Sequence, residues 1–227
     1  MRKQKLILKK IISWIRIKVP EPLGVIVPVS GGSDSALCWW LCNQALSGKT
    51  LGVFSGKGLR REDWFRKHGE LRFIETPVLG KNPEIARWSE FLEISVREKR
   101  VLIGTRNRTE DMLGTYSLAS RIATVLPLAG IWKSDVIDLC RSIGVPKEII
   151  NSSRRADPVC GRPAGLADIP LELIDGFLKA KEGEEKRPLC GELTQPQRDY
   201  LEEIYSANRF KISLPEKGPT ATWFRKE

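Results

Sequence analysis

One histidine, His68, stands in the whole chain of 227 residues. A Ser-His-Asp hydrolase needs an imidazole beside its nucleophile, and His68 lies in the polar run RKHGE at an expected helix end, so that chemistry is excluded. The five cysteines, Cys38, Cys42, Cys140, Cys160 and Cys190, are scattered and include no Cys-x-x-Cys pair. That spacing argues against a zinc site. Cys38 and Cys42, four apart in an apolar run, read as small buried hydrophobes of a reducing compartment. No stretch approaches the roughly 20 uninterrupted apolar residues of a membrane span. Even LILKKIISWIRIKV is broken by Lys9, Lys10, Arg16 and Lys18, and no small-residue cleavage site follows it, so the expected location is the cytoplasm. Internal repeats and low-complexity tracts are also missing.

What is there fits a folded globular chain: 41% hydrophobic and 29% charged residues. The length suits one domain, residues 1–227, with a core large enough to need no disulfide staples. Lys and Arg outnumber Asp and Glu by 38 to 28, a net charge of +10. Such a surplus admits an RNA partner, an anionic substrate or simply a solvated basic surface. Much of it sits in the first eighteen residues, interleaved with Leu6, Ile7, Ile11, Ile12 and Ile15 at helical spacing, which reads as an amphipathic helix with a basic outer face.

Strand and helix signals then alternate. GVIVPV at 24–29 is a β-rich run, followed by a helical segment (ALCWWLCNQALSG) that closes at Gly48. Next come a strand (TLGVF), a charged helix near 60–68, a strand (LRFIETPV), a helix over 82–99 and the strand VLIG at 101–104. Residues 109–121 read as a helix and KSDVIDLCRSIG as another, ending at Gly144. The Pro-, Arg- and Gly-bearing stretch 150–170 reads as a mobile loop, and 171–227 as a C-terminal helical appendage. The fold class expected is α/β, a mostly parallel doubly wound sheet covered by helices.

The strongest chemical signal is a strand, then Ser30-Gly31-Gly32-Ser33-Asp34-Ser35, then a helix. Paired glycines let the backbone turn tightly and approach an anion. Ser30, Ser33 and Ser35 supply donors, and the helix adds its positive end. Asp34 would repel a bare phosphate, so it reads as a ligand for Mg²⁺ standing between the two. The rival reading, a plain helix cap, accounts for neither the strand before nor the paired glycines. Gly48-Lys49-Thr50 has a Walker-A ending, but Asn43 occupies the position of the leading glycine, so it is no P-loop.

SGGSDS resembles the pyrophosphate loop of the N-type ATP pyrophosphatases, which have an adenine nucleotide alpha hydrolase-like fold, cleave ATP between its α and β phosphates and adenylate a substrate. Further motifs resemble one branch, the ammonia-dependent NAD synthetases: GTRNRTE at 104–110 (GTxNxSE there), AGIWKSDVIDLCRSIGVPKEII, RRADP at 154–158, IPLELID and NRFKISLP. These matches run in order from about residue 11 to 219. The resemblance implies an ATP- and Mg-dependent ligase that adenylates deamido-NAD and aminates it with ammonia, commonly as a homodimer, with free ammonia or a glutaminase partner as nitrogen source. It implies ATP contacts from Ser30, Gly31, Gly32, Ser33, Asp34, Ser35, Thr105 and Arg155. Glu110 would be a second Mg²⁺ ligand, while Lys133 and Arg87 would meet phosphate charge. Each has a plainer alternative: Glu110 as a first-turn carboxylate behind a Thr109 cap, Lys133 as surface, Arg87 paired with Glu84 or Glu90.

The departures fall on the acceptor side. The family's K-x-G-D-G segment corresponds to Ser117-Leu118-Ala119-Ser120-Arg121, Arg155 replaces a Ser or Thr with Arg154 beside it, and the region 52–82 is short. Pro28 stands in a strand expected to be central. Two alternatives therefore stay open: an RNA-modifying adenylase, for which Cys160 and Cys190 are a weak catalytic pair, and a non-catalytic nucleotide-binding relative.

Overall fold

The computed structural model describes residues 2–75, 82–152, 163–183 and 192–212. Helix α1 (Arg2–Lys18) leads into β1 (Gly24–Pro28), α2 (Ser33–Ala45), β2 (Thr50–Ser55), α3 (Glu62–His68), β3 (Glu70–Ile74), α4 (Pro83–Arg97) and β4 (Arg100–Leu102). The four strands are all parallel, in the order β3-β2-β1-β4. The chain winds outward from β1 to β3, then crosses back to place β4 on the other side of β1. A crevice opens at that reversal, beyond the carboxyl ends of β1 and β4.

The two-residue period of β1 sorts the core into two layers. Val25, Val27 and Val29 join the cluster formed with α1, α2, α6 (Lys133–Ser142) and α7 (Lys147–Ser152), whereas Ile26 meets Leu51, Val53 and the α4 residues Phe91 and Ile94 on the opposite face. Helix α2 is apolar nearly all round because it lies between the sheet and a second helical layer. Trp39 is fully buried there, while Trp40 is half-buried. Pro28 is tolerated because Val25 and Val29 donate toward β2. Alternate residues therefore face β4, whose pairing with β1 stops at Ile26 and Leu102, so the missing N–H is not needed.

Helix α1 is where expected, but its buried face is Leu8, Ile11 and Ile15, with Ile7 and Ile12 flanking. Leu6 is exposed, since it lies five residues from Ile11 and thus toward the far side of the helix. Arg16 donates to the carbonyls of Ala45 (3.0 Å) and Gln44 (2.9 Å), closing the C-terminal end of α2, which stops at Ala45 rather than Gly48.

The helix expected over 109–121 is two pieces. Helix α5 (Arg108–Leu113) ends at Gly114, whose φ of 64° turns the chain left-handed, and a 3-10 turn (Leu118–Ile122) follows. The run 163–170, expected as part of a mobile loop, contains a 3-10 turn (Ala164–Asp168) because Leu166 and Ile169 are buried. Ile150 to Ser152 belong to α7, and 153–162 lie outside the described residues. Helices α8 (Leu171–Lys181) and α9 (Gln195–Ala207) bury Ile174, Phe177, Leu178, Leu201 and Ile204 against Leu113 and Trp132, and α10 (Arg209–Ile212) packs on α5. Among the described residues no helix is long and apolar enough to cross a membrane.

Candidate functional site

A cavity of about 580 Å³ occupies the crevice at the carboxyl ends of β1 and β4. Its wall includes Ser30, Gly32 and Asp34 from the loop after β1, Thr105, Arg106 and Glu110 from the segment after β4, Arg87 of α4 and Lys133 of α6. The chain brings together at one place residues that are about 100 positions apart in sequence.

The loop is braced from within. The N–H of Ser30 donates to Ser35 Oγ (3.1 Å), the two hydroxyls lie 3.1 Å apart, and Ser35 Oγ donates to the carbonyl of Gly32 (3.0 Å). Gly31 holds φ at 78°, a conformation side chains resist, and an added Cβ would stand 3.1 Å from Leu59. Gly32 is the N-cap of α2 and brings no side chain to cover its first N–H groups. An uncovered helix start facing a cavity is suited to an anion. Ser35 and Ser33 are buried, so Ser35 shapes the loop instead of lining the cavity.

Asp34 and Lys133 form an ion pair, and Lys133 Nζ also donates to Ser33 Oγ (2.9 Å). Lys133 is only 4% exposed, so it is no surface lysine; the pair fixes a buried cation at the loop. Asp34 Oδ1 accepts from Asn107 Nδ2 (2.9 Å). Asn107, not Thr109, is the N-cap of α5: its side chain accepts from the N–H of Glu110 (3.0 Å) while Glu110 reaches back to the N–H of Asn107. Thr109 turns inward, donating to Asp175 Oδ1 (2.5 Å) and accepting from the N–H of Lys133 (2.9 Å). Asp175 Oδ2 accepts from the N–H of Ser134 (2.9 Å), so a buried carboxylate of α8 sits on the positive end of α6 and holds Lys133 in place.

Sequence reasoning assigned no role to Asn107 or Asp175, although both lie within motifs it singled out. Arg87 pairs with Glu84, as the plainer reading had it, yet its Nε is buried without a hydrogen-bond partner and its side chain lines the cavity. Ser117 and Ser120 line the cavity too, while Arg121 turns away to the carbonyl of Lys211 (2.7 Å). Arg154 and Arg155 lie outside the described residues, as do Cys160 and Cys190.

Asp34 and Glu110 put hard carboxylate oxygens on the cavity wall near the phosphate loop. One or two carboxylates, completed by substrate phosphates and water, is the donor set Mg²⁺ favours, and Asp34 keeps free lone pairs beyond those used by Asn107 and Lys133. No cluster of three or more metal-ligating side chains occurs among the described residues. Burial pushes the thiol of Cys140 up to about 12, with the Asp34 charge adding to it, and burial likewise raises Cys42 to about 12 and Cys38 well above its usual range. These three thiols are packing groups, not nucleophiles.

The NAD synthase family model matches residues 85–215. An NH(3)-dependent NAD(+) synthetase of Helicobacter pylori (strain P12) is 32% identical over a 139-residue alignment that covers 57% of this chain and 53% of that relative, so the chain spans about half its length. The synthetase of the same description from Thermococcus sibiricus is 27% identical over 92% of this chain and 95% of its own. The structure of the NH3-dependent NAD synthetase of Campylobacter jejuni superposes with a TM-score of 0.73 at 21% identity, covering 95% of this chain and 99% of that one, and shares its fold. With the parallel sheet, the loop at its crevice and a family match over more than half of its residues, the chain belongs to the NAD synthase family.

Proposed function

We propose that this chain makes NAD: it adenylates the carboxylate of deamido-NAD with ATP and then aminates the acyl adenylate with ammonia, releasing AMP. The observation that carries the reading is the convergence of the phosphate loop, Glu110 and Lys133 on one cavity at the β1–β4 crevice. In the first step a carboxylate oxygen of the acceptor attacks the α phosphorus of ATP, and the bond to the bridging oxygen breaks as pyrophosphate leaves. In the second, ammonia attacks the acyl carbon, AMP departs and the surplus proton passes to water.

The protein's work is electrostatic. The loop N–H groups and the open start of α2 receive phosphate oxygens. Lys133, aimed by Ser33 and Asp34, meets the charge that builds on the departing pyrophosphate, and Arg87 adds a second cation. Asp34 and Glu110 would hold Mg²⁺, whose chemistry there is neutralisation of phosphate charge. Thr105, in the segment after β4, is assigned to the adenosine side, and Arg155, outside the described residues, is proposed as a further ATP contact.

The nitrogen source in this reading is free ammonia, with a glutaminase partner as the alternative supplier, and the setting is the cytoplasm. A homodimer is the proposed assembly, supported by an exposed apolar stripe of Ile85, Leu92 and Val96 on α4 beside exposed Leu118. The test is AMP and NAD formation from Mg-ATP, ammonium and deamido-NAD, beside a control lacking the dinucleotide. NAD appearing one-for-one with AMP is the expected result. ATP binding without AMP formation would overturn the reading and favour a non-catalytic or RNA-directed relative.

A further inference from the structure

Arg106 stands in the segment after β4, between Thr105 and Asn107, the cap of α5, and it lines the cavity. Its side chain is 11% exposed. The guanidinium stacks on Tyr116, with Cζ 4.0 Å from the ring centroid, which fixes the plane in which its N–H groups point. Nε lies 3.0 Å from Asp111 Oδ1, an ion-pair contact but off the hydrogen-bond direction. Both Nε and Nη1 are buried without a hydrogen-bond partner. Among the described residues the only other buried side-chain donor in that condition is Arg87 Nε, on the wall of the same cavity.

Buried cationic donors left unmade are costly, and a fold keeps them where a ligand completes them. The position narrows that ligand. The phosphate loop already has Lys133 and the start of α2, and both sit at Ser33 and Asp34. Arg106 points elsewhere, to Tyr116, which lines the cavity together with Ser117 and Ser120. Asp111 offsets its charge, so its use is a directed hydrogen bond and not long-range attraction.

We propose that Arg106 is a specificity-determining residue that binds an anionic oxygen of the acceptor, its carboxylate or a phosphate. This rests on the reading of the chain as an acceptor-adenylating ligase.

The test is steady-state kinetics of Arg106→Met and Arg106→Lys, with folding checked by thermal melting. Arg106→Met is expected to raise KM for deamido-NAD roughly 10- to 100-fold, the loss of one charged hydrogen bond, and to leave KM for ATP within about twofold. Arg106→Lys keeps the charge but not the planar fork and falls between. Inhibition by NAD separates the two sources. If Arg106 holds the carboxylate, Arg106→Met leaves NAD inhibition unchanged, because the amide carries no charge; if it holds a phosphate, NAD and deamido-NAD weaken together. An unchanged acceptor KM, or an ATP KM rising in step, overturns the proposal. Should Arg106→Met fail to fold, Arg106→Lys, which retains a cation for Asp111, decides it by the same split. A wild-type protein that makes no NAD fails the underlying reading, whereas active wild type with unaffected variants fails Arg106 alone.

Discussion

Asn107 donates from Nδ2 to Asp34 Oδ1 at 2.9 Å, across 73 residues of sequence. The same side chain caps α5, so one buried amide ties the segment after β4 to the loop after β1 and orients the carboxylate between them. The two roles can be separated. Asn107→Ser keeps a capping oxygen, worth about 1 kcal/mol, but is too short to reach Asp34. Its melting temperature should stay close to that of wild type while pyrophosphate release falls roughly 10- to 100-fold, the loss of a hydrogen bond to a charged group. Near-wild-type pyrophosphate release in Asn107→Ser, with the loss confined to Asn107→Ala, would mean the cap alone matters.

The ion pair of Asp34 and Lys133 is buried on the lysine side. Asp34→Ala therefore strips a 4% exposed cation of its carboxylate, and breaking such a pair costs about 3–5 kcal/mol. The double variant Asp34→Ala/Lys133→Met removes the stranded charge and should regain most of that stability in denaturant unfolding, yet release no pyrophosphate. Turnover in Asp34→Ala near the wild-type rate, with protein still folded, would sink the role of this carboxylate. Glu110→Ala is expected to lose the same turnover, with a smaller loss of stability from its half of the capping box.

The parts of this site that were legible in the sequence are those whose physics is local. SGGSDS announces itself because a strand, two glycines and a helix start are contiguous, and Lys133 is marked by opening a helix. Glu110 is marked by its motif, but the sequence also offers Thr109 as a cap, and it is Asn107 that holds that place. What the sequence could not show is which polar group reaches across the fold. Asn107 to Asp34 and Asp175 to Thr109 are pairings decided by how α5, α6 and α8 pack. The buried face of α1 is only partly legible because Leu6 and Leu8 are equally apolar, and only the position of α2 chooses between them. The split of 109–121 turned on Gly114, which carries a left-handed φ and packs against Asn208.

Asp175 is a further test of that packing. It is 1% exposed and accepts from Thr109 Oγ1 and the N–H of Ser134, so α8 holds the start of α6 through one carboxylate. Asp175→Ala leaves the buried Thr109 hydroxyl without its acceptor, a loss of about 1–3 kcal/mol, and frees the partly buried N–H of Ser134 at a smaller cost. Hydrogen exchange should quicken at the amides of Lys133 and Ser134 before it does in β1 and β2, and ATP turnover should fall because Lys133 is no longer aimed. Unchanged protection at those two amides would show that α6 is positioned by its apolar face alone.

The end of α4 is tied to β3 by the ion pair of Glu98 and Arg72, with Arg97 and Arg100 also near the carboxylate. The hydrogen bond from Arg72, followed by its charge, holds the Glu98 carboxyl below its usual 4.5. The folded state thus binds this proton less readily than the unfolded chain. The resulting stabilisation is complete above the unfolded value and is lost as pH falls through the lower folded value. Wild-type protein should accordingly lose stability on acidification below about 4.5, and Arg72→Met should flatten that part of the pH profile while lowering the plateau at neutral pH. Melting temperatures taken from neutral pH to about pH 3 decide it. Parallel acid limbs in the two proteins would place the acid sensitivity in other carboxylates. Because Glu98 lies far along α4 from Arg87, the same substitution should leave ATP turnover at neutral pH unaltered.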